Sequence, residues 1–333
     1  MLKRIFALGL FGVLLMSIPM KSAEKVSGTL LVANKGDHTL GIIDAEAGSQ
    51  VATVAENGTT GHEVIASPDG KLAYVPIYGN SGVGKPGTDG SNMIVIDIAS
   101  RKVVGNVDFG RGVRPHCPIF GPKDGMLYVT TEIDKTISII DPKTLKIVGT
   151  IPTGQPESHM LAITADGKRG YTANVGPGSV SVLDMQGRKT LAVIPVSSQV
   201  QRIAVSVDGS MVFTADQSKP QLAVIDTSTN KVKAWVPLPA PGYGSAATPD
   251  GRWLVIAVPD ANKVAVVDLS AMKVAHTIDV PSSPQEVLVR PDGKVAYVSC
   301  LTSKKVAAIS TADWNVEKLI DAGPGVDGLA WAQ

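Results

Sequence analysis

The chain has 333 residues, 44% apolar and 18% charged, with 34 Gly, 22 Pro, 5 His and 2 Cys. Two cysteines exclude a disulfide scaffold and any four-cysteine zinc or iron–sulfur site, and the abundant Gly and Pro disfavour a long helical bundle. A formal charge of +1 supplies no electrostatic footprint for nucleic acid or an anionic membrane, so neither is expected as a partner.

In chain order, the first element reads as an export signal, Met1–Ala23. Lys3 and Arg4 give the positive start, Ile5–Met16 the short apolar core, and Ser22-Ala23 a small-residue exit after the helix-breaking Pro19. The apolar run is shorter than the roughly 20 residues of a membrane span. The mature chain, beginning near Glu24, is expected in the periplasm or outside the cell, as a monomer with no membrane span. Loss of Lys3, Arg4 and Lys21 leaves 28 basic residues against 30 acidic ones.

The remainder, 24–333, is one repeat array forming a single domain. Asp-Gly pairs recur at Asp69, Asp124, Asp166, Asp208, Asp250 and Asp292, spaced by 42 residues from Asp124 onward. The first gap is 55 residues, which places an insertion at 79–92. β-Branched runs closing on aspartate form a second marker: Ile43-Asp44, Ile96-Asp97, Ile140-Asp141, Leu183-Asp184, Ile225-Asp226 and Val267-Asp268. A seventh copy, Ile309-Ser310, keeps the spacing without the acid. Each unit holds four short extended segments; in the fourth they are Met160–Ile163, Arg169–Ala173, Val180–Asp184 and Thr190–Pro195. Asp-Gly is expected to make tight hairpin turns with both residues at positive φ.

Several segments are apolar throughout, such as Val264-Ala265-Val266-Val267, and so need cover on both faces. Sheets packed side by side around an axis provide it. The first unit starts at its second strand, and the tail 323–331 resembles the start of an inner strand. The expected fold is therefore all-β: a seven-bladed β-propeller of four-stranded antiparallel blades, closed by the C-terminal strand joining the N-terminal blade.

The segments Leu72-Ala73-Tyr74-Val75, Leu127-Tyr128-Val129-Thr130, Gly170-Tyr171-Thr172-Ala173-Asn174 and Val295-Ala296-Tyr297-Val298, with the Val-Ile-Asp strands, resemble the YVTN β-propeller repeats of exported bacterial and archaeal proteins. The chain is also distantly similar to the haem-bearing propeller of cytochrome-type nitrite reductases and the copper-bearing propeller of nitrous oxide reductase. That second resemblance implies a cofactor on the propeller axis.

His62 and His159 lie seven residues before their Asp-Gly aspartates, and His116 eight before Asp124. Three of the five histidines thus share one repeat column in consecutive blades, at the entry to the strand that lines the channel. Three neutral imidazoles suit zinc, copper, iron or nickel, so Zn, Cu or Fe at His62, His116 and His159 is the metal reading. A wet channel lining for an organic ligand is the competing one. Glu63 and Glu157 are placed to orient an imidazole. Arg111, Arg114 and Arg202 are candidate contacts for a carboxylate or phosphate, and Tyr243 fills the column in a later blade. The insertion loop, six glycines between Gly79 and Gly90, shares the histidine face and suits a lid or a solvated spacer. Cys117 and Cys300 read as buried free thiols, with Cys117 also near enough in sequence to His116 for a soft ligand. His38 and His276 read as surface residues. No nucleophile elbow, His-Glu-x-x-His or c-type haem motif occurs. The functional reading is an exported propeller binding a ligand, metal or envelope partner protein on its channel-entry face. The alternative is a metal-dependent enzyme, hydrolase, lyase or oxidoreductase, with its ion on the axis.

Overall fold

The computed structural model describes residues 28–56 and 60–333, so the segment read as an export signal lies outside the described residues. Seven four-stranded antiparallel sheets follow one another along the chain. Neighbouring blades touch through their inner strands in succession around a ring that closes on itself; between the second and third blades the contact is from the innermost strand Pro115–Phe120 to the second strand Leu72–Gly79. In the fourth blade the strands are Ser158–Ile163, Arg169–Asn174, Ser179–Asp184 and Lys189–Pro195, one or two residues longer than the sequence suggests. Among the described residues, no helix is long and apolar enough to cross a membrane.

Burial follows strand position. Middle strands such as Lys263–Asp268 are buried on both faces, whereas rim strands such as Lys231–Pro237 alternate exposed and covered residues. The core is a ring of interblade layers. Leu222, Ile256 and Val267 fill one between the fifth and sixth blades, and Val255, Val298 and Ile309 the next. A lone blade leaves these faces in water; its neighbours remove that area at about 25 cal/mol per Å2.

The Asp-Gly loops differ from the expectation in one respect. Only the glycine is left-handed, at φ values of 66–71° in all six. The loop is a wider turn of five residues: Gly70 N–H donates to Ser67 C=O at 2.9 Å, and Ser67 N–H to Leu72 C=O at 2.7 Å. The aspartate earns its place through its side chain, which accepts the N–H two residues on, as Asp208 does from Ser210 at 3.0 Å. The aspartates ending the third strands act alike: Asp97 accepts Ser100 N–H at 2.7 Å and Asp226 accepts Ser228 N–H at 2.9 Å.

Ring closure is as expected. The last strand, Val326–Ala332, pairs with Thr29–Asn34 as the innermost strand of the first blade, with Leu30 opposite Trp331 and Val32 opposite Leu329. The insertion proves narrower than 79–92. The flanking strands Leu72–Gly79 and Asp89–Asp97 extend into it and leave 80–88 as the loop. Four inner strands are entered through a left-handed residue, Arg114, Glu157, Ser283 or Gly325, which bends the chain in toward the axis.

Candidate functional site

The column of inner-strand entries converges as the repeat predicts. His116 and His159 are both 2% exposed and stack with ring centroids 3.6 Å apart, tilted by 29°. His62 stands edge-on to His116 at 5.7 Å. Tyr78 sits among all three, its ring 4.9 Å from His62, 5.3 Å from His116 and 5.7 Å from His159. Its hydroxyl donates to Glu132 Oε2 at 2.6 Å, and the same carboxylate oxygen lies 3.4 Å from His159 Nδ1.

Charge in this cluster is set by burial. Desolvation pushes His62 down to about 3, with nearby Asp327 only partly offsetting it, and holds His116 well below the usual imidazole value. His159 is lowered for the same reason against the pull of Glu132. All three are therefore neutral at pH 7. Burial works against the charge on Glu132, but His159, Tyr78 and the Gly84 N–H together hold its carboxyl below the usual range.

These rings gather without forming the expected ion site. Among the described residues, no three His, Cys, Asp or Glu are arranged to hold one metal ion. The reason is the stacking. Imidazole lone pairs lie in the ring plane, so two nearly parallel rings aim theirs side by side rather than at one point about 2.0–2.1 Å from each. His116 Nδ1 is buried without a hydrogen-bond partner, whereas His159 Nδ1 has the 3.4 Å approach of Glu132.

A second set of side chains gathers beneath the histidines: Glu63, Arg202 and Glu286, each one residue past the histidine column, with Asp327 and Tyr243 of the column itself. Arg202, 3% exposed, crosses the axis. Its Nη1 donates to Glu63 and, at 2.6 Å, to Glu286, while Nη2 reaches Asp327 at 3.3 Å. The guanidinium also lies 5.0 Å from the Tyr243 ring centroid and touches Met160 Sδ at 3.5 Å. Lys35 adds a 3.0 Å contact to Asp327. Burial raises the Glu63 and Glu286 carboxyls, with Arg202 opposing, whereas Lys35, Arg202 and His62 outweigh burial and hold Asp327 low. One guanidinium thus binds carboxylates from the second, seventh and first blades beneath the histidines. Close approach here requires glycine: a Cβ on Gly328 would stand 2.6 Å from His62 C=O and 2.7 Å from Glu63 Cα.

The remaining candidates resolve by their partners. Arg114 is committed to the insertion loop, donating to Asp89 at 2.6 Å, Lys85 C=O at 2.6 Å and Glu132 at 3.2 Å. Its role is to hold that loop against the histidine cluster rather than to present a free guanidinium. The loop is therefore tethered, not a loose lid. Glu157 accepts Gly176 N–H at 2.7 Å and packs under Gly84, where an added Cβ would meet its carboxylate at 2.5 Å. Arg111 pairs with Asp134 at the surface. Cys117 and Cys300 are free and buried; burial pushes the Cys117 thiol up to about 12, and its Sγ faces Leu161 C=O at 3.7 Å. His38 lies in a turn of the first blade, and His276 stacks on Trp314 at 5.9 Å on a rim strand. Between the insertion loop and the third and fourth blades lies a cleft of about 350 Å3, rimmed by Lys85, Lys135, Glu132 and Glu157.

Sequence reasoning missed Tyr78, Glu132, Glu286 and Asp327. A signal for them exists in the repeat. Tyr78 and Glu132 each stand four residues after the strand tyrosines Tyr74 and Tyr128, and Asp327 stands one 42-residue period after Gln285.

The fold has close counterparts. The chain superposes on a Kuenenia stuttgartiensis hydrazine synthase chain with TM-score 0.72 at 21% identity, covering 85% of this chain and 92% of that one. It superposes on dihydro-heme d1 dehydrogenase NirN, solved with DHE, with TM-score 0.65 at 16% identity, covering 90% and 74%. At such identities the likeness is one of fold. No match was found among curated proteins. The model of the family described as the cytochrome D1 heme domain matches residues 122–330, which include Glu132, His159, Arg202, Glu286 and Asp327 and begin just after His116. Of the two resemblances drawn from sequence, the haem-bearing propeller is the one this match supports. Because it spans more than half the chain, this protein belongs to the cytochrome D1 heme domain family.

Proposed function

We propose that the chain is an exported ligand-binding propeller that takes a d1-type haem, or a tetrapyrrole of the same carboxylate-rich class, on its histidine face. The observation that carries the reading is the pair of buried, neutral imidazoles, His116 and His159, of which His116 leaves its Nδ1 without a partner, in a chain of this family. An unpaired buried polar atom costs about 1–3 kcal/mol, a cost that a ligand making the missing contact removes.

The donor set fits such a group. A neutral imidazole is the usual protein ligand of haem iron, and His116, His159 and the half-buried His62 are all neutral. Lys85 and Lys135 beside the cleft supply cations for peripheral carboxylates. Tyr78 and Glu132 fix the imidazoles, the tyrosine by edge contact and the carboxylate by its 3.4 Å approach to His159. When bound, the group supplies redox and ligand-binding chemistry at its iron. The chain's own residues orient the imidazoles and, by burying them, keep them unprotonated.

Titration of the purified chain with haem d1, followed by visible absorption, tests the reading. One equivalent per chain is expected, with His116→Ala and His159→Ala each weakening binding at least tenfold and His276→Ala leaving it unchanged. Absence of a saturable spectral change, or equal binding by the His116→Ala/His159→Ala double variant, refutes it.

A further inference from the structure

Two carboxylates of the Arg202 hub, Glu63 and Glu286, also line a chamber on the propeller axis. On the side away from the histidines the inner strands run on toward the Asp-Gly turns and enclose a cavity of about 490 Å3. Its walls include Ile65, Ile119, Ile163, Val205, Leu288 and Trp331, contributed by six of the seven blades. Each of these is only partly buried by its neighbours, so apolar surface is left uncovered at the axis. Glu63 and Glu286 belong to the same lining, and their carboxylates already serve Arg202.

We infer that this chamber is a second binding site, separate from the histidine face, for an uncharged apolar small molecule that enters from the Asp-Gly face. The volume falls within the roughly 300–1,000 Å3 of small-ligand sites. Aliphatic walls bind water poorly and take apolar guests. A charged guest would lose its hydration and gain no partner, because the only ionic groups within reach are paired across the hub. Entry is assigned to the Asp-Gly face because on the histidine side the guanidinium is bonded to three carboxylates from different blades.

The uncharged dye N-phenyl-1-naphthylamine is the probe, titrated into the full mature chain and read by fluorescence. A saturable rise at one dye per chain is expected, with the bound dye shielded from iodide quenching. Val205→Glu puts a carboxylate into the wall and should weaken binding at least tenfold, whereas His62→Ala, on the other face, should leave it unchanged. Should Val205→Glu fail to melt cooperatively, the isosteric Val205→Thr serves instead, with an expected loss of about threefold or more. No saturable rise, full iodide access to the bound dye, wild-type binding by a folded Val205 variant, or loss of binding in His62→Ala would each overturn the assignment. None of these outcomes depends on whether a haem binds the histidine face.

Discussion

Replacing Arg202 with Met should destabilise the protein strongly, and more at high pH than at low. The substitution keeps the length and apolar volume of the side chain but removes the one group that binds Glu63, Glu286 and Asp327 together. Three carboxyls are then left at the axis with Lys35 as the remaining cation, and Lys35 reaches only Asp327. Removing one partner from a buried ion pair costs about 3–5 kcal/mol. At roughly 2–4 °C per kcal/mol, this lowers the melting temperature by about 6–20 °C. The pH sign follows from the carboxyls. Burial already raises Glu63 and Glu286 above their unfolded values even with Arg202 present. A raised folded-state pKa means that the folded protein holds more protons, so stability falls as pH rises through that pKa. Without the guanidinium both carboxyls rise further, and the penalty is paid in full once the pH exceeds their new values. It shrinks toward pH 5, where both become protonated and uncharged. Thermal melts of Arg202→Met and wild type at pH 5 and pH 8 give the measurement. Equal melting of the two proteins at pH 8, or a larger deficit at pH 5 than at pH 8, would refute the account of the hub.

Arg114→Ala should release the insertion loop by removing its contacts to Asp89 and Lys85 C=O; the check is proteolysis within 80–88, expected to speed up several-fold while the blade core stays intact. Deleting 323–333 removes the innermost strand of the first blade, including Leu329 and Ala330, and exposes the paired edge of Thr29–Asn34; cooperative melting should be lost, and a truncated chain that melts like the full one would sink the closure.

Much of this architecture is written in the repeat. The 42-residue spacing, the Asp-Gly pairs and the β-branched runs carry the blade count, the strand order and the closing strand, because each depends on local turn chemistry and on which faces need cover. The convergence of His62, His116 and His159 was legible for the same reason: equivalent positions in a closed ring point to one axis. What the sequence could not decide is how side chains meet there. Whether three imidazoles face one ion or stack depends on ring torsions and on Tyr78, which enters from a strand lengthened into the insertion. Arg114 and Arg202 look alike as cations beside the column. Tertiary structure alone assigns one to tethering a loop and the other to joining four blades, since their carboxylate partners lie 18 to 139 residues away in sequence. Periodicity fixes where each residue stands around the axis; the partner it finds across the axis is a matter of distance and desolvation, which only the folded chain sets.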